Sequence, residues 1–250
     1  MKLSLLICSL LTSVCGFAFS LNSSSNSNFK GWSNPNIQFV INSSNCPSNI
    51  DVAGTINGAL AIWNNLATSN VNLSVVGTTT STTYANPITI YCESNYSKVL
   101  GSSTAADTSP GAASINPSGD NISTGLLILN ASTGKANIGN YNSTTLAIVL
   151  AHEIGHLMGL GHSQDIDALM YYDASLKKSL ALAQDDIDGA SYLYPRNELG
   201  SDKQLGCSTV KEVPPPSNGT KLLLTLLLLT PLGLSFHLRR RSDSRASKAT

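Results

Sequence analysis

Residues 152–162 read HEIGHLMGLGH, which places two histidines four positions apart and a third six positions further along the chain. On a helix, His152 and His156 would share one face, so both imidazoles could reach the same ion. Gly159 lets the chain turn out of the helix, so that His162 can swing back to that ion. Three imidazole ligands leave a fourth position for water, which is typical of a catalytic zinc site rather than a structural one.

Glu153 lies between the first two predicted ligands, beside the water that such a site would bind. Zinc lowers the pKa of a bound water towards about 7, and a neighbouring carboxylate can take its proton and pass it to a leaving amine. The alternative is that each histidine is an ordinary core residue. The chain has only four histidines, however, and three stand at metal-ligand spacing around a glutamate. We therefore expect one catalytic zinc, with Glu153 as the general base.

Upstream of this stretch, the sequence predicts a small, mostly buried sheet and one helix. Ile56, Leu60 and Trp63 recur at helical spacing, and Asn49 or Asp51 can cap that helix. Four short runs are rich in β-branched or aromatic residues or alternate with period two, so we expect strands at 37–41, 71–76, 88–91 and 126–129.

Two further helices are predicted at and after the histidines. Residues 146–157 are apolar almost all round, which is typical of a helix buried in the core. A last helix over 183–193 begins with Asp185 and Asp186, because negative charge is favoured at a helix N-terminus.

Residues 101–125 are rich in Gly, Ser, Pro and Asn, and a segment of this length in a compact domain is usually a functional or ion-tied loop. Asp107 and Asp120, together with loop carbonyls, would suit Ca²⁺. A solvated loop without an ion is the alternative, and the composition favours it.

The N-terminal residues have the layout of a secretory signal peptide, with a lysine, an apolar run and small residues around Ala18 and Ser20. We expect residues 1–20 to be that peptide, with cleavage after Ser20, followed by a flexible leader at 21–30. A membrane anchor is the alternative, but the apolar run is too short to cross about 30 Å of hydrocarbon.

The C-terminal region predicts a membrane or sorting segment. After the domain at 31–197, a polar and proline-rich linker at 198–221 leads to an apolar run at 222–238 and a basic tail at 239–250. The apolar run is at the short end of a membrane span, and the arginines after it would place the tail in the cytoplasm. The layout also resembles bacterial C-terminal sorting signals, and a buried core helix is a further alternative. We expect an exported protein anchored at the cell surface or membrane, or released from it.

Three cysteines remain after the predicted cleavage, and an exported chain can form a disulfide. Within the domain, Cys46 and Cys92 could form that bridge or remain two separate buried thiols. Cys207 lies in the predicted linker.

The balance of charge argues against a nucleic-acid partner. Residues 21–220 carry 8 Lys plus Arg against 14 Asp plus Glu, a formal charge of −6. We expect the protein to be a monomer.

The motif HExxHxxGxxH is the signature of the metzincin metalloproteases, and the resemblance covers most of residues 31–196. Ser163, the triplet ALM at 168–170 and QDDIDGASYLY at 184–194 make the chain most similar to the matrixins. The resemblance implies an α+β, zincin-like fold in which a twisted, mostly parallel small sheet packs with three helices and zinc lies in a cleft. Substrate would lie extended along a sheet edge.

The resemblance also implies the activity and one structural residue. The activity would be that of a zinc-dependent endopeptidase acting on extracellular or surface proteins. Met170 would be the residue of the Met-turn, an apolar floor beneath the metal rather than a ligand. Asp185 or Asp186 would tie the last helix to this turn, or else lie at a solvated helix start. The alternative function is a catalytically silent surface binding module on the same fold, against which the intact Glu153 counts. Three strong ligands instead of four also count against a purely structural zinc protein.

The sequence departs from the matrixin pattern in three places. After residue 20 there is no segment similar to a propeptide with its inhibitory cysteine, and His237 is the sole histidine outside the motif, so a second histidine-built zinc site is not expected. Tyr172 stands where matrixins usually have proline. Because astacins and serralysins have a tyrosine near the zinc, Tyr172 is predicted to give its hydroxyl to the metal or the oxyanion, or else to line the specificity pocket.

Overall fold

The computed structural model describes residues 19–22 and 28–196. The chain divides into one unit at 1–197 and a second at 198–250, and the second lies outside the described residues. The same is true of most of the predicted signal peptide, of Cys207 and of the predicted C-terminal helix. Within the described part of the chain, no helix has both the length and the apolar character needed to cross a membrane.

In the described part of the chain, five strands form one sheet in the spatial order β2-β1-β3-β5-β4. Neighbouring strands are parallel except for β4, which runs antiparallel to β5 at the edge. The prediction of a small, mostly parallel sheet is therefore confirmed. The strands are β1 (Asn36–Asn42), β2 (Asn72–Thr78), β3 (Ile88–Glu93), β4 (Gly111–Ser118) and β5 (Asn121–Asn130).

The prediction of a long loop at 101–125 is wrong. This segment contains one short helix, all of β4 and the first half of β5, which pair as a hairpin. Its polar composition misled the prediction because one face of an edge strand is exposed to water and needs few apolar residues. The hairpin brings Gly111 and Ala113 to the edge of the sheet, where the functional site lies.

Within residues 28–196, three helices have ten or more residues, as predicted, and two short ones precede β4. The side chain of Asp51 caps the first helix by accepting from the Gly54 N–H at 2.8 Å. The helices are α1 (Val52–Asn64), α2 (Tyr96–Leu100), α3 (Ala105–Thr108), α4 (Ser143–Met158) and α5 (Gln184–Leu193), and single 3₁₀ turns occur at Ile138–Asn140 and Ala174–Leu176.

The core lies between the sheet and the two longest helices, α1 and α4. Trp63 of α1 is fully buried, and its indole N–H donates to the Ala151 carbonyl of α4 at 3.0 Å. Fully buried α4 residues such as Leu150 and Ile154 each contribute about 1.5–3 kcal/mol from the removal of apolar surface from water. The histidine-bearing helix is therefore held from both sides.

Two further features hold segments near the N-terminus of the domain in place. Cys46, after β1, forms a disulfide with Cys92 of β3. Phe29, within the predicted leader, is buried in the core, and Leu21 pairs with Leu160.

Candidate metal centre

Helix α4 begins and ends at signals that set the positions of its histidines. Asn142 accepts from the Thr145 N–H at 2.8 Å, which caps the N-terminus. Gly159 ends the helix with φ +110°, a left-handed conformation that favours glycine, and its N–H donates to the His156 carbonyl at 3.0 Å. The chain then reverses, and this turn carries His162 back towards the helix.

The three predicted ligands meet at one point. The ligand nitrogens of His152, His156 and His162 all lie within 4.8 Å of one another. The Nε2 atoms of His156 and His162 are 3.2 Å apart. Two nitrogens that each lie about 2.0–2.1 Å from a tetrahedral zinc are about 3.3 Å apart, so the spacing fits a shared ion.

Hydrogen bonds at the other ring nitrogen fix two of the ligands in the required tautomer. His152 Nδ1 lies 2.8 Å from the Leu169 carbonyl, and His156 Nδ1 lies 2.8 Å from the Leu160 carbonyl. A carbonyl oxygen only accepts, so each Nδ1 carries the proton and each Nε2 keeps its lone pair. This donor set fits zinc.

The environment keeps the imidazoles neutral, as coordination requires. Burial lowers the pKa of His156 to about 3, with a further contribution from the neighbouring His152. Burial also lowers the pKa of His152 and that of His162, which is the most exposed of the three rings. All three are therefore unprotonated at neutral pH.

Glu153 follows the first ligand and lies against the edge of the sheet. The Ala113 N–H of β4 donates to Glu153 Oε2 at 2.9 Å. A β-carbon at Gly111 would stand 3.2 Å from Glu153 Cγ, so the absence of a side chain there gives the carboxylate room. Burial raises the pKa of Glu153 to about 7, and the Ala113 N–H opposes that shift. A carboxyl that titrates near neutrality suits acid–base work.

Met170 lies beneath the ligands and is held by the last helix. Its side chain is buried against Gly155 of α4. The Asp186 carboxylate accepts from the N–H groups of Leu169, Met170 and Ala183, at 2.7, 2.9 and 2.8 Å. Burial raises the pKa of Asp186, and these three donors oppose the shift. Since Leu169 also accepts from His152, a chain of contacts runs from α5 to the first ligand.

Asp185 makes a second connection from α5, so both carboxylates contact the segment that follows His162. The Ser163 hydroxyl, directly after the third ligand, donates to Asp185 Oδ2 at 2.5 Å. The same hydroxyl accepts from the Asp165 N–H, and the Ser163 N–H donates to the Met170 carbonyl at 2.8 Å. These bonds fix where the chain leaves His162.

The ligands and Glu153 open into a cleft of about 510 Å³. One wall is the edge strand β4, at Gly111 to Ala113, and another includes Ile148 and Val149 of α4. Tyr172 also lines this cleft, with 66% of its surface exposed and its ring 4.5 Å from that of Tyr171. The structure thus brings Tyr172 to the same cleft as the ligands.

Two buried residues that the sequence analysis missed support the start of β4. The Tyr96 hydroxyl lies 3.1 Å from the hydroxyl of Ser109, which donates to the Gly111 carbonyl at 2.6 Å. The Asn130 amide donates to the carbonyls of Ser109 and Ala106, at 2.9 and 3.2 Å. Such long-range contacts leave no local signal in the sequence. These hydrogen bonds fix the position of the start of β4 beside Glu153.

The two residues predicted to bind calcium contact different parts of the chain. Asp107 accepts from the Lys135 N–H at 2.9 Å, and Asp120 lies 3.8 Å from the Lys30 ammonium. Across residues 19–22 and 28–196, the histidine triad is the sole group of three or more His, Cys, Asp or Glu close enough to share an ion. Calcium binding stays a prediction.

Comparison with known proteins agrees with this geometry. The matrixin family profile matches residues 31–195, which is most of the chain. The chain belongs to the matrixin family. Membership implies zinc, and the triad provides the donors for it.

Individual relatives match over a shorter segment. Interstitial collagenase of Oryctolagus cuniculus is 53% identical over 55 residues, covering 22% of this chain and 11% of the collagenase. Metalloendoproteinase 1 of Glycine max is 53% identical over 53 residues, 21% of this chain and 17% of that protein. Matrix metalloproteinase-23 of Mus musculus is 51% identical over 51 residues, 20% and 13% respectively. The chain thus matches less than a fifth of the length of each of these matrixins.

Proposed function

We propose that this matrixin is a zinc-dependent endopeptidase that hydrolyses peptide bonds of extracellular or surface proteins. His152, His156 and His162 hold the zinc, and Glu153 is the general base. The observation that carries the proposal is the convergence of three histidine ring nitrogens and one carboxyl of raised pKa on a single cleft.

Glu153 performs the proton transfers in this proposal. When bound, zinc supplies a Lewis acid that polarises the scissile carbonyl and makes the attacking water more acidic. Glu153 takes the proton from that water and delivers it to the leaving amine, so one carboxyl serves both steps. The Ala113 N–H holds Oε2 in place. A pKa of about 7 lets the group accept and release a proton near neutral pH.

The substrate backbone lies extended along the edge strand β4. Among the residues that the structure describes, this strand has a partner on one side only, and Gly111, Ala112 and Ala113 line the cleft next to Glu153. A peptide can add to such an edge through main-chain hydrogen bonds, and small side chains on β4 allow it to approach closely. Side-chain preference then depends on the apolar wall at Ile148 and Val149.

Tyr172 stabilises the negative charge that develops on the scissile carbonyl, through its phenolic hydroxyl. Its position in the cleft and its exposure support this role, because a bound substrate can reach the ring. A single positioned donor of this kind is worth about 10²–10³ in rate where it is well buried.

The protein acts outside the cytoplasm after its signal peptide has been removed. Its C-terminal segment either tethers it to the membrane or is cut to release it. The Cys46–Cys92 disulfide supports export, because such bonds persist in oxidising compartments. The apolar run at 222–238 and the basic residues after it support the tether.

A digestion assay on casein, gelatin and a broad peptide library tests the proposal. Wild type should cleave, a chelator should stop cleavage, and added zinc should restore it. Glu153→Gln should retain zinc, because its carbonyl oxygen can still accept from Ala113, yet lose about 10²–10⁴ in rate. A wild-type protein that holds zinc but cleaves nothing would instead favour the binding module.

A further inference from the structure

The segment at residues 19–22, which we call the strap, pairs with the loop that carries the third ligand. Leu21 forms an antiparallel bridge with Leu160. The Gly161 N–H donates to the Ser20 carbonyl, and the Asn22 N–H donates to the Gly159 carbonyl, each at 2.8 Å. The loop at 159–162 therefore has a strand-like partner from a distant part of the chain.

Side chains of the strap reach the backbones of two ligands. The Ser20 hydroxyl donates to the His162 carbonyl at 2.6 Å. The Asn22 amide donates to the His156 carbonyl at 3.3 Å. Together with the two backbone bonds, four hydrogen bonds join the strap to the chain between the second and third ligands.

The fit between strap and loop is close. A β-carbon at Gly161 would stand 2.4 Å from Ser20 Oγ and 2.9 Å from the Leu21 carbonyl oxygen, so a side chain there would displace the strap. At the other end, the Phe19 ring packs on Tyr192 of α5 with centroids 5.3 Å apart. The strap thus bridges the ligand loop and the last helix.

We propose that the strap is a positioning element of the metal site and is retained in the mature protein. The loop at 159–162 contains two glycines and would otherwise sample many conformations. His162 is the most exposed ligand, so few side chains pack against its ring. The orientation of the ring therefore depends mainly on the loop backbone. This role rests on the proposed zinc site and concerns retention of the metal rather than catalysis.

Retention of the strap moves the expected processing site. Cleavage after Ser20 would remove the carbonyl and the hydroxyl that make two of the four hydrogen bonds. Cleavage between Ala18 and Phe19 keeps all four, and it places the small residues Gly16 and Ala18 at the positions that signal processing prefers. The mature chain should therefore begin at Phe19.

N-terminal sequencing and intact mass of the protein, exported from the full-length chain, test the processing site. The expected N-terminus is Phe19. A mature N-terminus at Leu21 or further along, in protein that holds zinc as tightly as a chain that begins at Phe19, would overturn the proposal.

Substitutions in the full-length chain test the positioning role. Ser20→Ala removes only the bond to His162, Asn22→Ala removes the bond to His156, and Asn22→Pro also removes the N–H that reaches Gly159. Ser191→Ala is the matched control, because it removes a hydroxyl bond to Thr68 that is 2.6 Å long and does not involve the loop.

Two readouts apply to these variants, and neither needs proteolytic activity. The rate of zinc transfer to a chelator should rise by about fivefold in Ser20→Ala and by more in Asn22→Pro, with Asn22→Ala between wild type and Asn22→Pro. Exchange of the Gly161 amide should accelerate in the same order, also in metal-free protein, while Ser191→Ala behaves as wild type. If strap variants that fold normally match wild type in both readouts, the strap has no positioning role.

Discussion

The sulfur of Met170 lies directly against Gly155, where a β-carbon would stand 2.3 Å from Sδ. Gly155 is the residue before His156 on α4, so the floor beneath the ligands packs on the ligand helix itself. The same methionine is held from below by Asp186. The candidate metal site therefore depends on contacts among α4, the segment that carries Met170 and α5 as well as on the three histidines.

Gly155→Ala should destabilise the protein even though alanine favours helices. The new methyl group would collide with Met170 and lie 3.2 Å from the buried Trp63 ring. Overpacking of this kind costs about 1–3 kcal/mol, against a gain of about 1 kcal/mol in helix propensity. Gly58→Ala on α1 is the control. Its β-carbon would meet nothing within 4 Å, so this substitution should stabilise the protein. Denaturant unfolding of the two variants should give shifts of opposite sign, and equal shifts would refute the packing argument.

Asp186→Asn should cost about 2 kcal/mol or more in the free energy of unfolding. The amide nitrogen cannot accept, so at least one of the N–H groups of Leu169, Met170 and Ala183 loses its partner in a buried place. Asp188→Asn, at an exposed position of the same helix, should change stability by less than about 0.5 kcal/mol. Thermal or denaturant unfolding measures both. Similar losses for the two variants would contradict the role assigned to Asp186.

Removal of the disulfide should lower stability without changing the site. The bond closes a loop with a sequence separation of 46 residues, for which the chain-entropy relation gives about 4 kcal/mol. Unfolding of wild type should therefore be sensitive to a reductant, and unfolding of Cys46→Ala/Cys92→Ala should not be. A wild-type protein whose unfolding is unaffected by complete reduction would count against this account.

Tyr172→Phe should lower kcat by about ten- to hundredfold, with zinc content and KM nearly unchanged, because the hydroxyl acts on charge that develops only in the transition state. Tyr192→Phe serves as control, since this exposed ring on α5 does not line the cleft. If Tyr172→Phe keeps full turnover and an unaltered zinc site, the hydroxyl has no catalytic role and the ring only lines the cleft.

The metal site was largely predictable because its key residues follow one another along the chain. The spacing of His152 and His156 requires a helix, and Gly159 marks its end, so the geometry of the triad follows from local rules. The burial of α4 was likewise visible in its apolar sequence.

What could not be predicted depends on contacts between distant segments. The strand β4 has few β-branched residues and forms because β5 and Glu153 provide partners for its backbone. The proton on His152 Nδ1 is fixed by a carbonyl 17 residues away, and the pairing of Leu21 with Leu160 joins residues far apart in the chain. None of these contacts leaves a periodic pattern in the sequence.

The most direct measurement is the zinc content of folded, purified protein by metal analysis, for wild type, Glu153→Gln and His156→Ala. One zinc per chain is expected in wild type and in Glu153→Gln. His156→Ala should lose the metal on dialysis, because only two of the three imidazoles remain to hold it. Folded wild type that keeps no zinc, or His156→Ala that keeps it as firmly as wild type, would contradict the central claim.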